Sequence, residues 1–215
     1  MPEGQSVERR KMMQMLGAEV EMTPKSHGMR GAIQRAEELT HSLPDAIMPQ
    51  QFHNQANPDI HEQTTAEEIW RDTGGELDVL VLNVGTGGTL TGCARALKAR
   101  RPTVRVIAVE PEDSAVLSGG APGPHMIEGI GAGFVPSILD TSLIDEVLTV
   151  ANQTAFDTAR RCARLEGIPP GISSGAVLTA ALEIAARPAM AGKRIVVVLP
   201  SFAERYLSTP LFERL

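Results

Sequence analysis

The most chemically suggestive stretch of the chain is a glycine-rich segment that directly follows an apolar run. Residues 79–92 read VLVLNVGTGGTLTG and contain Gly85, Thr86, Gly87, Gly88 and Thr89. Glycines let a backbone turn sharply and approach a ligand closely. Backbone N–H groups at the start of a following helix favour an anion such as phosphate. The segment therefore predicts a phosphate cradle, with a glycine-rich turn that binds nothing as the alternative.

This segment differs from two common nucleotide-binding patterns. A Walker loop would continue with Gly-Lys-Ser or Gly-Lys-Thr, and a dinucleotide fingerprint would carry glycine at position 90, where the chain has Leu90. The prediction of an anion site therefore rests only on the order of strand, glycine-rich loop and helix.

Two weaker patterns could also contact a polar ligand. Ser173 and Ser174 lie between glycines ahead of an alanine-rich stretch. They could cap a helix or present hydroxyls to a heterocycle nitrogen. Residues 50–54 read QQFHN. Side-chain amides such as that of Gln51 can bind a carboxylate, although satisfying the backbone of a loop is the simpler interpretation.

Other chemically capable residues have simpler interpretations. His53 and His61 lack the neighbouring carboxylates or cysteines of a metal site, so no metal site is predicted. His125 is interpreted as a solvated loop residue, and Glu204 with Arg205 as an ion pair or surface charges. No GxSxG nucleophile motif occurs in the chain.

Short apolar runs alternate with longer helical patterns, which predicts an α/β fold with a mostly parallel sheet. The apolar runs are continuous, which is typical of strands covered on both faces. Predicted strands cover residues 18–23, 46–48, 78–83, 104–110, 146–150 and 195–199. Predicted helices cover residues 7–16, 29–41, 57–73 (capped by Asn57), 152–166 (capped by Asn152) and 175–186, with another after Thr89. Residues 112–136, rich in glycine and proline, predict a long loop.

Composition limits the class of protein. The chain has 215 residues, of which 42% are hydrophobic and 21% charged, as in ordinary globular proteins. The net charge of -6 and the lack of a basic stripe argue against a nucleic-acid partner. No apolar run approaches the roughly 20 residues of a membrane span, so no membrane partner is expected. Cys93 and Cys162 have no metal-ligand spacing and suit a reducing cytoplasm.

Taken together, the motifs resemble the cysteine synthase (O-acetylserine sulfhydrylase) family of fold-type II pyridoxal-phosphate enzymes. The resemblance covers essentially the whole chain and rests on segments that occur in the family's order: MPE-x-x-S-x-ERR, LGAEV-x-x-T, QQF-x-N-x-ANP, GTGGTLTG, VEP-x-DS, PGPH-x-I-x-GIGAGFVP, GISSGA and ERYLST. It implies a tryptophan synthase β-like architecture with an incomplete small domain. Residues 1–54 would be a remnant of that substrate-side domain, and residues 55–215 the large domain that binds the cofactor phosphate.

The resemblance also implies roles for particular residues. The phosphate of pyridoxal 5′-phosphate would lie against Gly85, Thr86, Gly87, Gly88 and Thr89. Ser173 would contact the pyridine nitrogen, and this neutral partner suits β-elimination. Substrate contacts would come from Gln51, Gly129, Ile130 and Gly131.

The family reaction is a β-replacement in which O-acetylserine and sulfide give cysteine and acetate. The resemblance further implies a small amino-acid substrate, a cytoplasmic homodimer, and serine acetyltransferase as a candidate partner.

One departure from the family concerns catalysis. The chain has four lysines, none at the family's Schiff-base position: Lys11, Lys25, Lys98 and Lys193. A Schiff-base lysine is both covalent anchor and proton carrier. The chain alone is therefore expected to bind the cofactor noncovalently at best and to be nearly inactive.

Three hypotheses follow from this departure. The first is an incomplete cysteine synthase, whose lysine-bearing N-terminal block comes from upstream or from a second chain. The second is a non-catalytic module that binds phosphate ligands or a partner. The third is a related reaction, such as cystathionine formation by a cystathionine β-synthase or amino-acid dehydration.

Smaller departures bear on substrate preference and solubility. Phe202 and Ala203 replace small polar and glycine residues expected near the cofactor ring. Met126 and Glu128 stand where the family has lysine and glutamine. An incomplete small domain would leave apolar faces exposed, so the isolated chain is expected to be only marginally soluble.

Overall fold

The computed structural model describes residues 1–213 and has a four-stranded parallel sheet at its centre. The strands are β1 (Val79–Asn83), β2 (Arg105–Pro111), β3 (Glu146–Val150) and β4 (Ile195–Val197). Their order in the sheet is β3-β2-β1-β4, and every pairing is parallel. The predicted α/β class and parallel sheet are confirmed.

Some of the α-helices cover the sheet, and the others lie outside it. Within residues 1–213 they are α1 (Val7–Met15), α2 (Gly28–Ser42), α3 (Ala56–Ile60), α4 (Ala66–Thr73), α5 (Gly88–Arg100), α6 (Asn152–Glu166) and α7 (Ile172–Ala185). A π-helical turn at His61–Thr65 joins α3 to α4, so residues 56–73 form one continuous helix. No helix of the described residues has the length and apolar character needed to cross a membrane.

Both faces of the sheet are buried, which accounts for the continuous apolar runs in the sequence. Val79 and Val81 of β1 belong to an apolar cluster with α6 and α7. Leu80 and Leu82 point the other way, into a cluster with α5. Successive side chains of a strand alternate between faces, so a strand covered on both sides needs apolar residues at every position.

The two weak strands predicted near the N-terminus do not form. Residues 18–23 are extended, but their pairing is limited to an isolated bridge between Thr23 and Pro2. Residues 46–48 have no strand structure. A strand needs a neighbouring strand for its backbone hydrogen bonds, and these two segments have none within the described residues.

Helix starts also differ from the predictions. The side chain of Asn54 accepts the N–H of Ala56 at 3.0 Å, so the helix begins before Asn57, the predicted cap. Asn152 lies inside α6, and its side chain accepts the N–H of Met126 at 2.8 Å. The side chain of Asn152 therefore bonds a neighbouring loop and does not cap the helix. Sequence alone does not reveal such a partner.

The long loop after β2 is built around a buried carboxylate. Glu110 is 2% exposed and accepts backbone N–H groups from Leu117 at 2.7 Å and Ser118 at 2.9 Å. His125 is half-buried and its Nε2 lies 2.9 Å from the carbonyl oxygen of Gly131. The interpretation of His125 as a solvated residue is therefore wrong, because the ring links two turns of the loop.

Apolar side chains near the N-terminus are exposed, as expected. Neither α1 nor α2 contains a buried residue. Met15 is 83% exposed and Ile47 89% exposed. Marginal solubility of the isolated chain stays a prediction.

Helices α6 and α7 approach so closely that substitution of Gly175 should be costly. A methyl group there would lie 2.8 Å from Cβ of Ala159, and it would also meet the carbonyl of Ala155. Overpacking of this kind costs about 1–3 kcal/mol. We expect Gly175→Ala to lower the free energy of unfolding by that amount in urea denaturation. Leu182→Ala on the exposed side of α7 is the control and should change it by less than about 0.5 kcal/mol. Equal effects of the two changes would contradict the close approach.

Candidate active site

A cavity of about 210 Å³ opens at the carboxyl ends of β1 and β4. After β1 the chain passes through α5 to β2 on one side, whereas β4 lies on the other side of β1. Open α/β sheets bind ligands at such a switch point. The cavity is lined by Arg9, Asn83, Gly85, Thr86, Gly87, Thr89, Gly129, Ile130, Ser173, Pro200, Ser201, Arg205 and Tyr206.

Neighbouring groups leave no space for a side chain at the three glycines of the glycine-rich loop. Gly87 has φ +85° and caps α5 in the left-handed region, where a side chain would also meet Cβ of Leu139 at 2.8 Å. A side chain at Gly85 would meet the carbonyl of Gly129, and one at Gly88 would meet the side chain of Asn57. The loop therefore presents bare backbone at these three glycines, beside the side chains of Thr86 and Thr89.

The two threonine hydroxyls of this loop each have a partner behind them. Thr86 Oγ1 accepts a hydrogen bond from Asn57 Nδ2 at 3.0 Å and a weaker one from the N–H of Gly88 at 3.4 Å. Thr89 Oγ1 lies 3.1 Å from His61 Nε2. Because Thr86 accepts from two donors, its own proton is left to donate into the cavity.

The serine pair divides into one structural and one cavity-lining hydroxyl. The Oγ of Ser174 donates to the carbonyl of Ser201 and accepts its N–H, both at 2.9 Å. The Oγ of Ser173 lies 2.9 Å from that of Ser201, and Ser173 lines the cavity. Both predicted serines lie inside the first turn of α7 and neither caps the helix.

Two arginines line the cavity, and one of them, Arg9, forms an ion pair with Glu128. The other is Arg205, and no carboxylate stands among the described lining residues. Arg9 donates to Glu128 at 2.7 Å and to the hydroxyl of Tyr206 at 2.6 Å. Its guanidinium also lies 4.6 Å from the centre of the Tyr206 ring. An anionic ligand suits these walls better than a cationic one.

The structure brings most of the predicted site residues together. Seven of them line the cavity: Gly85, Thr86, Gly87, Thr89, Gly129, Ile130 and Ser173. Gly88 is buried in the first turn of α5 behind this surface. Gln51 is exposed and does not line the cavity, and neither does Gly131, whose N–H donates to the carbonyl of Val84 at 3.1 Å.

Several lining residues were not predicted. Asn83 is simply the last residue of β1, so its place at the carboxyl end of a strand was a usable signal. Arg205 was interpreted as a surface charge or ion pair, yet it lines the cavity. Tyr206 ends a 3₁₀ turn, Ala203–Tyr206, and Ser201 lies two residues before that turn; no sequence period indicates how this segment packs. Phe202, expected near the cofactor ring, is 44% exposed and lies outside the lining.

Asn57 should be essential as a hydrogen-bond donor. Its Nδ2 bonds the carbonyl of Gln51 at 2.9 Å as well as Thr86. Asn57→Asp places a charged acceptor against these oxygens, and we expect a loss of about 1–3 kcal/mol of unfolding free energy at pH 7. The loss should shrink as the pH falls below about 4, where a protonated carboxyl can donate again.

The matched control for this change is Gln63→Glu, read by urea denaturation at both pH values. Gln63 is exposed on the same helix, so the change replaces a solvated amide by a solvated carboxylate. Its stability should change by less than about 0.5 kcal/mol. A pH-independent loss in Asn57→Asp would contradict the assigned donor.

Burial raises the pKa of Glu128, and the opposing effects of the Ser6 N–H and the Arg9 charge are smaller. A raised folded-state pKa means that the stabilisation belongs to the protonated form; it is complete below the ordinary pKa and is lost as pH rises through the raised one. We therefore expect the melting temperature of the unaltered chain to fall more between pH 4 and pH 7 than that of Glu128→Gln, in which this group does not titrate.

Glu204→Gln removes one exposed charge near Tyr206 and serves as the control for the net-charge change. Calorimetry at pH 4 and pH 7 should show the same change in Glu204→Gln as in the unaltered chain. An equal change between the two pH values in the unaltered chain and in Glu128→Gln would contradict the direction of the pKa shift.

Comparisons with known proteins agree with this fold. A family model described as "Pyridoxal-phosphate dependent enzyme" matches residues 1–201. Cysteine synthase A of Escherichia coli (strain K12) is 51% identical over 99% of the chain and 68% of its own length. The solved cysteine synthase of Entamoeba histolytica is 45% identical, with a TM-score of 0.92 over 99% of the chain and 63% of its own length.

A third relative has a different named reaction. The solved O-acetylserine-dependent cystathionine β-synthase of Helicobacter pylori is 42% identical, with a TM-score of 0.92 over 99% of this chain and 69% of that one. The chain thus spans about two thirds of the length of its relatives. The matched family model and the extent of identity show that the chain belongs to the pyridoxal-phosphate dependent enzyme family, among the cysteine synthases.

Proposed function

We propose that the cavity binds pyridoxal 5′-phosphate and that the chain takes part in a cysteine synthase-type β-replacement. In that reaction O-acetylserine and sulfide give cysteine and acetate. The observation that carries the proposal is that the hydroxyls of Thr86 and Thr89 line the same cavity as the hydroxyl of Ser173. The 51% identity to the E. coli cysteine synthase A supports it.

The glycine-rich loop fits the phosphate group. Side chains at Gly85, Gly87 and Gly88 would collide with their neighbours, so the backbone itself forms the wall. The first N–H groups of α5 have no acceptor within the helix, and its dipole favours negative charge. The hydroxyls of Thr86 and Thr89 add two donors, and the arginines add long-range attraction. Together these groups would hold a phosphate dianion.

The hydroxyl of Ser173 fits the ring nitrogen of the cofactor. If Ser201 Oγ donates across their 2.9 Å contact, the proton of Ser173 is free to donate into the cavity. A neutral hydroxyl partner leaves a pyridine nitrogen unprotonated. When bound, the cofactor supplies an electron sink next to the substrate α-carbon. Ser173 would hold the ring in place without adding charge.

The substrate would lie toward the loop of Gly129 and Ile130, which line the cavity. We assign Gln51 and Gly131 to the rim of the substrate site, since both flank the lining residues without forming the wall. Arg9 and Arg205 would attract the substrate carboxylate. The polar atoms that orient the amino acid therefore come from loops that meet above the sheet.

The Schiff-base lysine is assigned to polypeptide outside these 215 residues. None of the four lysines lines the described cavity. Lys98, for example, lies on the far part of α5 and pairs with Asp145 at 2.7 Å. The chain alone would hold the cofactor by its phosphate and ring contacts. A binding-only role is the second candidate, and the same lack of a lysine at the cavity favours it.

Domain organisation and surroundings follow from the same proposal. We infer that residues 1–54 belong to a small substrate-side domain, since α1 and α2 have no buried residue, and that residues 55–215 form the large domain. A cytoplasmic homodimer is proposed by analogy with the family, as is serine acetyltransferase as a partner. The two buried free cysteines suit a reducing compartment.

A thiol other than sulfide is the alternative second substrate. The likeness to the cystathionine β-synthase of H. pylori favours this variant. Both reactions share the same first half, so product identity separates them.

A chimera tests the proposed function directly. The chain is joined behind the part of the E. coli enzyme that it does not match, which is taken to include the Schiff-base lysine. We expect the chimera to form cysteine from O-acetylserine and sulfide, and the 215-residue chain alone to be inactive. Mass spectrometry of the products, with homocysteine offered as a competing thiol, distinguishes cysteine from cystathionine.

The same chimera with its Schiff-base lysine replaced by alanine is the control and should be inactive. Two outcomes would decide against the proposed β-replacement. A folded chimera that binds pyridoxal phosphate without turnover would support the binding-only candidate. A folded chimera that does not bind the cofactor would contradict both candidates.

A further inference from the structure

We propose that His61 is a positioning residue that turns the hydroxyl of Thr89 toward the bound phosphate. The inference rests on the proposed binding of pyridoxal phosphate at residues 85–89. His61 itself does not line the cavity, whereas Thr89 does. The imidazole would therefore act through Thr89 and not on the ligand.

Close helix packing places the His61 ring behind the loop. The helix of residues 56–73 crosses α5 so tightly that a side chain at Gly92 would meet the backbone N of Glu62 at 2.7 Å and Cβ of His61 at 2.9 Å. His61 Nε2 consequently lies 3.1 Å from Thr89 Oγ1 in the first turn of α5. The contact is built into the packing of two long helices.

The π-helical turn supplies the second partner of the ring. Thr65 lies four residues after His61 in this turn, and its Oγ1 is 2.9 Å from His61 Nδ1. Both ring nitrogens are thus bonded to threonine hydroxyls, one on each side. Burial lowers the pKa of His61, so the ring is neutral at physiological pH and carries one N–H.

Only one direction of these hydrogen bonds suits an anion in the cavity. Thr65 donates to Nδ1, His61 donates from Nε2 to Thr89, and Thr89 then donates to the phosphate. In the reverse direction the Thr89 hydroxyl would donate to the ring, and only its lone pairs would face the anion. Hydrogen bonds in a row that point the same way strengthen one another.

Thr86 provides an internal comparison. Its Oγ1 accepts from the amide of Asn57, which can donate in one way only and needs no choice of tautomer. Each of the two threonines of the loop thus has a donor behind it and the cavity in front. In Thr89 the direction depends on which nitrogen of His61 carries the proton.

Nitrogen NMR of the ¹⁵N-histidine-labelled chain tests the tautomer without any ligand or activity. The His61 signals are assigned by their loss in His61→Gln. We expect the Nε2–H tautomer at pH 7.5. The Nδ1–H tautomer would overturn the proposal, whatever the cofactor affinity of the chain.

Ligand affinity tests the consequence. Pyridoxine 5′-phosphate and pyridoxine differ only in phosphate and cannot form adducts with surface lysines. We expect His61→Phe and Thr89→Val each to weaken binding of pyridoxine 5′-phosphate about tenfold, since hydrogen bonds to charged groups are the strong ones. Binding of pyridoxine should not change. The double variant should bind no more weakly than Thr89→Val alone, because both changes remove the same bond.

Controls separate positioning from folding. Thr89→Ser keeps the hydroxyl and should retain affinity, and His61→Gln keeps a donor near Nε2 and should recover part of it. His41→Phe changes an exposed histidine on α2 and should have no effect. Additive losses in the double variant, or an equal loss for both ligands, would overturn the proposal. If the unaltered chain does not distinguish the two ligands, the proposed cofactor site fails, and the tautomer alone decides on His61.

Discussion

The site depends on how closely other backbone segments approach the end of β1. At Gly85, Gly87 and Gly88 the space beside the chain is already occupied, by a carbonyl, a leucine and an amide side chain. This crowding excludes side chains at these three positions, so the backbone is bare there and the hydroxyls of Thr86 and Thr89 are the side-chain groups of the turn. The proposed phosphate contacts depend on this arrangement at the start of α5.

Hydroxyl groups line the cavity at the glycine-rich loop and at Ser173, and each of them has a hydrogen-bonding neighbour. Thr86 and Thr89 have Asn57 and His61 as partners, and Ser173 has Ser201. A hydroxyl can donate or accept, so its neighbour determines which it offers to a ligand. In the proposed site the protein would thereby present donors to a phosphate and a neutral contact to a ring, and no carboxylate belongs to the described lining.

Much of the fold could be predicted because burial on both faces leaves a strong pattern. The four strands of the sheet were expected within one or two residues at each end, and the glycine-rich loop was recognised from β1 and the helix that follows. The segments at 18–23 and 46–48 were wrongly predicted as strands because apolar character alone does not supply a pairing partner.

Site residues that arrive from distant loops were harder to foresee. Arg205 and Ser201 carry no periodic signal, and Arg9 lies on a helix without buried residues. Gln51 matches a family motif but its exposed side chain lies off the cavity wall. His61 was considered only as a metal ligand, because its partners Thr65 and Thr89 become visible only when the π-helical turn packs against α5.

In the proposed site one cavity holds a phosphate at residues 85–89 and a ring at Ser173. Amide chemical-shift mapping of the ¹⁵N-labelled chain tests it most directly. Inorganic phosphate should shift the amides of residues 85–89 and leave Ser173 unchanged, whereas pyridoxine 5′-phosphate should shift both groups. Shifts confined to another surface, or movement of Ser173 with neither ligand, would contradict the claim.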